Sequence, residues 1–291
     1  MTTTEVLRRF NRTYTQRIGV LDESFLGTGR PLAVSRLLFE IGARPDGTTV
    51  RDLRERLDLD SGHLSRMLRR LEQDDLVTTE PDPADQRRRV VRLTPAGAAA
   101  RRELDDRSEE LASRLVAPLT DRQRERLADA LATADLLVRA ATIRLREVPP
   151  GDPAGRVALG RYLAEIDERF PTGYHPGDGP VGEETGSTYV VATSDGEPVA
   201  YGGIRPAFDA TTAEIKRMWV HPDWRGAGLG SRMLRHLEDL AREHGSTRVV
   251  LDTNGVLTEA IAMYERAGYE QIDRYPGSDP HATHFFGRSL A

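Results

Sequence analysis

The sequence predicts a two-domain α+β protein, mainly α-helical in its first half and mixed α/β in its second half. The length of 291 residues suits two domains of about 150 residues each. A segment rich in proline and glycine, residues 148–155, interrupts the chain near its middle. Apolar residues recur every three or four positions before this segment, whereas strand patterns alternate with helices after it. We therefore expect a first domain over 1–147, a linker over 148–155 and a second domain over 156–291.

The composition excludes several classes of protein. No stretch approaches the roughly 18 apolar residues of a membrane span, and the first ten residues lack the apolar core of a signal peptide. The absence of cysteine excludes disulfides, thiolate nucleophiles and thiolate metal ligands. The seven histidines show no metal-binding pattern. We expect a cytoplasmic protein with no membrane partner and no metal.

The charge changes sign between the two halves of the chain. Residues 1–148 carry 27 arginines and 25 acidic residues, a net charge of +2, and the remaining residues carry −7. This asymmetry favours a nucleic-acid partner for the first half and a cationic ligand for the second. Lys216 is the only lysine in the sequence.

The helices of the first half surround a helix–turn–helix pattern and a β-hairpin. Thr2 and Glu5 form a candidate capping box for a long N-terminal helix, and Thr94 begins another helix. The remaining predicted elements are a helix over 35–41, a short helix over 50–57, a helix that begins at Ser61, a hairpin around 82–89 and a helix from Thr120 to Leu145. The terminal helices are longer than one small core requires, so we expect a homodimer through these helices.

Polar side chains mark the candidate DNA-binding surface of this half. A recognition helix needs short polar groups where it enters the major groove, and arginines elsewhere contact phosphate. The candidates are Ser61, His63, Ser65, Arg66, Arg69 and Arg70 on the helix, with Arg87, Arg88 and Arg89 on the hairpin. Helix capping is an alternative role for Ser61, and a solvated surface position without DNA contact is an alternative for the hairpin arginines.

The first half resembles the MarR family of regulators. The resemblance rests on residues 50–77 and on the hairpin and helix start over 82–97. It implies a winged helix–turn–helix dimer that binds a double-stranded DNA operator. It also implies that Asp85, at the tip of the hairpin, braces the DNA-contacting Arg87.

The second half begins with a hairpin and continues with alternating strands and helices. The predicted strands are 189–193, 198–204, 213–220, 248–252, 269–272 and 284–288, with helices over 231–244 and 258–266. A glycine-rich turn, residues 225–230, joins the third strand to a helix. Backbone N–H groups at such a helix start can bind an anion, although a plain connecting turn has the same appearance. Neither a dinucleotide-binding glycine pattern nor a P-loop lysine is present.

The glycine-rich turn resembles the signature of the Gcn5-related N-acetyltransferase (GNAT) family, through Arg225, Gly228 and Gly230. The resemblance implies acetyl-CoA as co-substrate, with main-chain groups of the preceding bulged strand on its pantetheine and the turn on its pyrophosphate. Its implied contacts are Met218, Trp219, Val220, Arg225, Gly226, Ala227, Gly228, Leu229 and Gly230. Asn254 is a further candidate contact. Leu257 occupies the family's usual asparagine position, and a turn residue is the alternative role for Asn254.

Acetyl transfer to an amine requires that the amine lose a proton and that the departing thiolate gain one. The resemblance assigns these roles to Glu214 as general base and to Tyr264 as general acid. A structural strand-edge carboxylate and a core tyrosine are the respective alternatives. Glu183, Glu184 and Asp209 could attract an amine to the site, although solvated charge explains each of them.

The sequence therefore predicts a DNA-binding transcriptional regulator fused to an acetyl-CoA-dependent N-acetyltransferase that acts on a small amine or amino acid. The alternative is a regulator whose GNAT domain is a non-catalytic sensor of acetyl-CoA. Self-acetylation is not expected as a regulatory device, since Lys216 is the only lysine and lies on a predicted strand.

Overall fold

A computed structural model describes residues 1–20, 22–44, 46–83, 85–175, 184 and 186–290. The chain divides into two compact units, Met1–Arg126 and Leu127–Ala291. The predicted linker, residues 148–155, lies within the second unit, where it connects a strand to the helix that follows. Within the described residues, no helix combines the length and the apolar character that a membrane span requires.

The first unit combines helices with a three-stranded antiparallel sheet of order β1-β3-β2. The winged helix–turn–helix arrangement expected from the sequence is present, with the hairpin as the wing. Its elements are α1 (Thr3–Arg17), α2 (Leu32–Gly42), β1 (Thr48–Thr49), α3 (Val50–Leu57), α4 (Ser61–Gln73), β2 (Val77–Asp82), β3 (Asp85–Leu93), α5 (Pro95–Val116) and the start of α6 (Asp121–Thr142).

The turn between α3 and α4 is fixed by two aspartates. Asp58 ends α3 in the left-handed conformation, with φ of 49°. Asp60 caps α4, because its carboxylate accepts a hydrogen bond of 2.8 Å from the backbone N–H of His63. The capping residue is thus Asp60 and not Ser61, which leaves the Ser61 side chain exposed.

One face of α4 packs into the core of the first unit. Leu64 and Leu71 on this face are almost fully buried, together with Leu37 of α2 and Val91 of the wing. Each fully buried leucine contributes roughly 2 kcal/mol to folding. This packing holds α4 in place and leaves its opposite, polar face in solvent.

Helix α1 begins with the capping box expected from the sequence, because Thr2 and Glu5 exchange backbone-to-side-chain hydrogen bonds. No residue of α1 is buried, and its large apolar side chains are 42–53% exposed. Exposed apolar side chains also occur along α5 and α6. They are Val6, Leu7, Phe10 and Tyr14 on α1, Leu115 on α5, and Leu131, Leu137 and Val138 on α6.

The second unit contains a seven-stranded sheet of order β4-β5-β6-β7-β8-β10-β9. Strands β7 and β8 pair in parallel, and the other neighbouring strands are antiparallel. Its elements are β4 (Leu145–Val148), α7 (Pro153–Arg169), β5 (Thr188–Ser194), β6 (Glu197–Pro206), β7 (Thr212–Val220), α8 (Leu229–Glu243), β8 (Arg248–Thr253), α9 (Thr258–Arg266), β9 (Glu270–Gln271) and β10 (His284–Ser289).

The prediction that a helix continues to Leu145 is wrong. Helix α6 ends at Thr142, and the edge strand β4 pairs with β5 along its whole length. Leu145 and Val148 pack against the cores on opposite faces of the sheet, as the alternation of side chains along a strand requires. Because this strand and the end of α6 belong to the second unit, the compact units differ from the domain limits proposed from the sequence.

Helices cover both faces of this sheet. On one face, Met233 and Leu237 of α8 pack with Leu251 of β8 and with Tyr264 of α9. On the other face, residues of α7 pack against a second cluster that includes Trp219 of β7. The sheet therefore separates α7 from α8 and α9.

The centre of the sheet opens where β7 leaves β8. The two strands pair only between Thr212–Ile215 and Arg248–Leu251. Beyond this point Arg217 adopts a positive φ of 54°, and the register between β6 and β7 shifts. This irregularity is a β-bulge, which bends a strand and weakens its pairing. It forms the bulged central strand expected from the GNAT resemblance.

The first turn of α5 packs directly on the chain before β2. A Cβ atom added to Gly97 would lie 1.8 Å from the carbonyl oxygen of Leu76. We expect Gly97→Ala to lower the free energy of unfolding of the first unit by about 2 kcal/mol or more, because backbone must move to accept it. Circular dichroism during urea unfolding measures this change.

Gly160→Ala, on an exposed turn of α7, is the matched control. An added Cβ at Gly160 meets nothing within 4 Å, so this substitution should be neutral or stabilise by about 0.5–1 kcal/mol. Both tryptophans, Trp219 and Trp224, belong to the second unit, so their fluorescence reports that unit separately. An unchanged first-unit transition in Gly97→Ala would contradict this packing.

Candidate functional site

Two clefts of the second unit meet at Tyr264. The glycine-turn cleft, lined by Arg225, Gly226, residues 228–230 and the end of β7, has a volume of about 330 Å³. The strand-gap cleft, lined by residues 215–218 and 252–254, has a volume of about 310 Å³. Both clefts include Tyr162, Met218, Leu257, Ala260 and Tyr264. These five residues form the junction of the two clefts.

The glycine turn presents an open backbone surface. Gly226 and Gly228 have φ values of 79° and 78°, which a side chain would strain. A Cβ atom at either position would meet nothing within 4 Å, so the space above the turn is free of protein atoms. Gly228 is also the N-cap of α8 and provides no side-chain cap.

The amides of this turn are available to a ligand. Among the residues that the structure describes, no carbonyl or side-chain oxygen accepts from the backbone N–H groups of 226–231. Unpaired N–H groups and the positive end of a helix dipole together make an anion site. Gly226, Gly228, Leu229 and Gly230 all line the cleft, whereas Ala227 packs against the core.

The side chain of Arg225 is fixed to the protein rather than free. Its Nε donates to the carbonyl oxygen of Val220 at 3.0 Å, and its Nη2 lies 2.6 Å from both carboxylate oxygens of Glu165. Burial raises the pKa of Glu165, but hydrogen bonds from Arg225 and Trp219 outweigh burial and lower the pKa overall. The ion pair therefore anchors the start of the glycine turn to β7 and α7.

The end of β7 borders both clefts. Met218, Trp219 and Val220 line the glycine-turn cleft, and Met218 also lines the strand-gap cleft. The Trp219 side chain is 5% exposed and donates to Glu165 at 3.0 Å. Its indole is thus core, and a contact of its main chain with coenzyme A stays a prediction.

Tyr264 is both a core residue and a wall of the junction. Its side chain is 6% exposed and packs near the rings of Tyr269 and Phe286, with centroid distances of 5.9 and 6.0 Å. Burial, together with the negative charge of Asp252, raises the pKa of Tyr264 above its ordinary value. The phenol therefore keeps its proton at neutral pH and can act as a proton donor.

Glu214 lies behind the wall of the strand-gap cleft and is 2% exposed. Its Oε2 accepts from Nε of Arg205 at 2.6 Å. Its Oε1 accepts from the Tyr275 hydroxyl at 2.9 Å and lies 3.0 Å from Nζ of Lys216. Both carboxylate oxygens are thus occupied, and the role of Glu214 as general base stays a prediction.

Asn254 lines the strand-gap cleft and does not line the glycine-turn cleft. Its amide nitrogen donates to the carbonyl oxygen of His281 at 2.7 Å, and its amide oxygen accepts from the backbone N–H of Val256 at 3.1 Å. These bonds shape the loop after β8. A contact of Asn254 with coenzyme A stays a prediction.

The three acidic loop residues have different surroundings. Glu183 lies outside the described residues. Glu184 lines the strand-gap cleft, where it pairs with Arg217 and accepts from the Tyr189 hydroxyl. Asp209 is exposed and accepts hydrogen bonds from neighbouring threonines of its own loop.

Several charged residues that the sequence did not indicate as site residues line the strand-gap cleft: Arg205, Lys216, Arg217, Asp252 and Asp279. A buried strand that ends in an aspartate is the one sequence signal that could have drawn attention to Asp252. In the part of the chain that the structure describes, no group of three histidine or acidic side chains could hold a metal ion.

The predicted DNA-binding side chains of α4 share its polar face. Ser61, Ser65, Arg66, Arg69 and Arg70 are exposed, and His63 is half-buried. The buried leucines on the opposite face fix the direction in which these groups point. The helix therefore offers hydroxyl and guanidinium groups on one side, which is the arrangement that major-groove binding uses.

At the tip of the wing, the contacts of Asp85 differ from the expected contact with the side chain of Arg87. Asp85 accepts from the backbone N–H of Arg87 at 3.0 Å, but its carboxylate pairs with the side chain of Arg88 at 3.3 Å. Arg89 donates to the carbonyl oxygen of Thr79 at 3.1 Å. Asp85 thus shapes the backbone at Arg87, whose guanidinium has no ion-pair partner among the described residues.

Comparisons with known proteins agree with this two-part architecture. The model of the MarR family matches residues 28–88, and the model of the acetyltransferase (GNAT) family matches residues 160–269. Residues 28–88 are therefore similar to the MarR family, and residues 160–269 are similar to the GNAT family.

The individual relatives are partial matches. The uncharacterized N-acetyltransferase YjgM of Escherichia coli is 37% identical over 100 residues, which is 34% of this chain and 60% of that protein. The IAA acetyltransferase of Azospirillum brasilense is 35% identical over 96 residues, or 32% of this chain and 61% of the relative. The structure of the S. aureus MepR–DNA complex is 22% identical, with a TM-score of 0.37, and the match covers 46% of this chain and 96% of that one. The chain thus spans about three fifths of the curated relatives.

The Glu184 ion pair makes the stability of the second unit depend on pH. Burial raises the pKa of Glu184, but hydrogen bonds from Arg217 and Tyr189 outweigh burial and lower the pKa to about 2. A carboxylate with a lowered pKa stabilises the fold above its ordinary pKa of 4.5, and this contribution is lost as the pH falls toward 2. We expect Glu184→Gln to destabilise the second unit at pH 7 by about 2–3 kcal/mol, because Arg217 loses its partner.

Urea unfolding followed by tryptophan fluorescence between pH 7 and 3 measures this contribution. The wild type should lose more stability than Glu184→Gln as the pH falls below 4.5. Glu197→Gln is the control, since Glu197 pairs with Arg161 at the surface, where such a pair contributes about 0–1 kcal/mol. Parallel stability curves for wild type and Glu184→Gln would contradict the assigned ion pair.

Proposed function

We propose that this protein is a DNA-binding regulator whose GNAT domain transfers the acetyl group of acetyl-CoA to the amine of a small molecule or amino acid. The observation that carries the proposal is the junction at Tyr264. There a cleft with unpaired amides, suited to an anion, meets a second cleft of a size suited to a small acceptor.

The residues present fit acetyl-CoA as the first substrate. The amides of 226–230 would hold its diphosphate, and Gly226 and Gly228 would let the phosphates approach the backbone closely. The main chain of 218–220 would guide the pantetheine toward Tyr264. The ion pair of Arg225 with Glu165 would keep the turn in its binding conformation.

The acceptor would enter through the strand-gap cleft. Its amine nitrogen attacks the thioester carbonyl carbon and forms the amide bond, while the bond between carbon and sulfur breaks. The Tyr264 hydroxyl donates a proton to the departing sulfur. One proton of the acceptor ammonium returns through water to Tyr264 and the other leaves to solvent, so the reaction releases one net proton.

The polar face of α4 would enter the major groove, and the wing would place Arg87 on the phosphate backbone or in the minor groove. A second copy of the chain would cover the exposed apolar side chains of α1, α5 and α6. Dimers of this kind read two half-sites of a DNA operator.

Release of free thiol from acetyl-CoA, measured with a panel of amines and amino acids, tests the enzymatic proposal. We expect Tyr264→Phe to lower kcat roughly 100-fold with little change in the affinity for acetyl-CoA, because only the proton donor is removed. Tyr269→Phe is the matched control. It removes another buried hydroxyl, which donates to Glu238 and lies outside both clefts.

If acetyl-CoA releases no thiol with any amine of the panel, but binds and changes the affinity of the protein for DNA, the domain is a sensor. The enzymatic proposal then fails. A Tyr264→Phe variant as fast as the wild type would remove Tyr264 from the mechanism.

Binding to DNA fragments selected from a random pool tests the regulatory half. We expect Arg87→Ala to weaken binding and to reduce the salt dependence of the dimer by about 2 in log–log slope, one phosphate contact for each copy. Arg114→Ala is the control, since Arg114 pairs with Glu110 on α5. Affinity that does not vary with salt would contradict the proposed interface.

A further inference from the structure

Asp252 is the second buried carboxylate at the opening between β7 and β8. Its side chain is 8% exposed and lines the strand-gap cleft, unlike that of Glu214. Its Oδ2 accepts from the backbone N–H of Asp279 at 2.6 Å and lies 3.5 Å from Nζ of Lys216. These contacts hold the carboxylate in one orientation at the wall of the cleft.

The other oxygen of Asp252 is available to a ligand. Oδ1 accepts no hydrogen bond from the described residues. It is also absent from the set of described side-chain atoms that are both sealed from solvent and unpartnered. Oδ1 is therefore not sealed from solvent, and its side chain lines the cleft. An unpaired oxygen on a carboxylate side chain that is only 8% exposed is a strong acceptor for a charged donor.

The neighbouring charges leave Asp252 with negative charge to offer. Glu214 lies against two cations, Arg205 at 2.6 Å and Lys216 at 3.0 Å. Among the described residues, Asp252 pairs with only one cation, Lys216, which it shares with Glu214 and which lies farther from it, at 3.5 Å. Asp279, which also lines the cleft, accepts the Tyr174 hydroxyl at 2.6 Å. An ammonium group bound at Oδ1 of Asp252 would complete the charge balance of this wall.

Asp252 also lies within electrostatic range of the junction. Its negative charge contributes to the raised pKa of Tyr264 on α9 and of Tyr162 on α7. Both tyrosines line the strand-gap cleft together with Asp252. A group bound to Asp252 would therefore be close to the proposed proton donor.

We propose that Asp252 binds the acceptor ammonium and removes its proton, and that Glu214 is a positioning residue that holds Lys216 and Arg205. This inference rests on the proposed acetyl transfer. Asp252 takes one proton from the ammonium, which frees the electron pair of the nitrogen for attack on the thioester carbon. Asp252 then releases that proton to solvent, while Tyr264 protonates the sulfur and regains a proton from the new amide nitrogen through water.

The surroundings of Asp252 set the pH at which it can act. Burial raises its pKa, and Lys216 opposes this increase. The charged and titratable groups around this cleft are Lys216, Arg217 and Glu214 of β7, Arg205 of β6, Asp279, His281 and Tyr275 of the loop before β10, Tyr264 of α9, Tyr162 of α7, and Tyr174 and Glu184. A base acts only when deprotonated, so kcat/KM for the acceptor should fall as the pH decreases through the raised pKa of Asp252.

The test is the pH profile of thiol release by the full-length protein, with acetyl-CoA and the best acceptor from the amine panel. We expect Asp252→Asn to lower kcat/KM for the acceptor roughly 100-fold or more and to abolish the acidic limb of the profile. The KM for acetyl-CoA should stay close to that of the wild type. Glu214→Gln should keep an acidic limb, since it leaves the base in place.

Circular dichroism of each variant checks the fold. If Asp252→Asn does not fold, Asp252→Glu carries the test and should shift the acidic limb while retaining part of the rate. An acidic limb that persists unchanged in the Asp252 variants and vanishes in Glu214→Gln would overturn the proposal. An inactive wild type would instead refute the acetyl transfer on which the proposal rests.

Discussion

The separation of β7 from β8 is the constraint on which the second unit depends. In a fully paired sheet, helix α7 on one face could not share a cavity with helix α9 on the other. The bulge at Arg217 ends the pairing after Ile215 and opens the sheet. Tyr162 of α7 and Tyr264 of α9 consequently border the same clefts. The opening also places strand backbone, with its hydrogen-bonding groups, in the wall of a ligand site.

An opening in a sheet leaves polar and charged groups that need hydrogen-bond or ion-pair partners. The wall of this opening contains Lys216 and Asp252, with Arg205 from the neighbouring strand. Glu214 lies behind the wall, and these side chains pair with one another. Burying such charges is unfavourable unless each has partners. In this network both carboxylate oxygens of Glu214 have partners, whereas only Oδ2 of Asp252 has them. The incomplete pairing distinguishes a structural carboxylate from one able to bind an acceptor.

The sequence predicted those features that lie within contiguous residues. The turn at 225–230, the helix–turn–helix and the wing each depend on local patterns of glycine, capping residues and apolar periodicity. The strand at Leu145 was missed, because a short amphipathic run after a helix does not reveal that a distant edge strand will pair with it. Asp252 and Glu165 were missed as site residues for a related reason. Their significance comes from contacts with Lys216 and Arg225, which only the folded chain brings together.

Lys216 carries an amine in the wall of a site proposed to acetylate amines, yet its surroundings disfavour its own acetylation. Its Nζ lies between Glu214 and Asp252, and its side chain is 15% exposed. Acetylation would remove the positive charge and leave two enclosed carboxylates close together without it, which costs several kcal/mol. The network that places Lys216 at the cleft thus protects it from the reaction proposed to occur there.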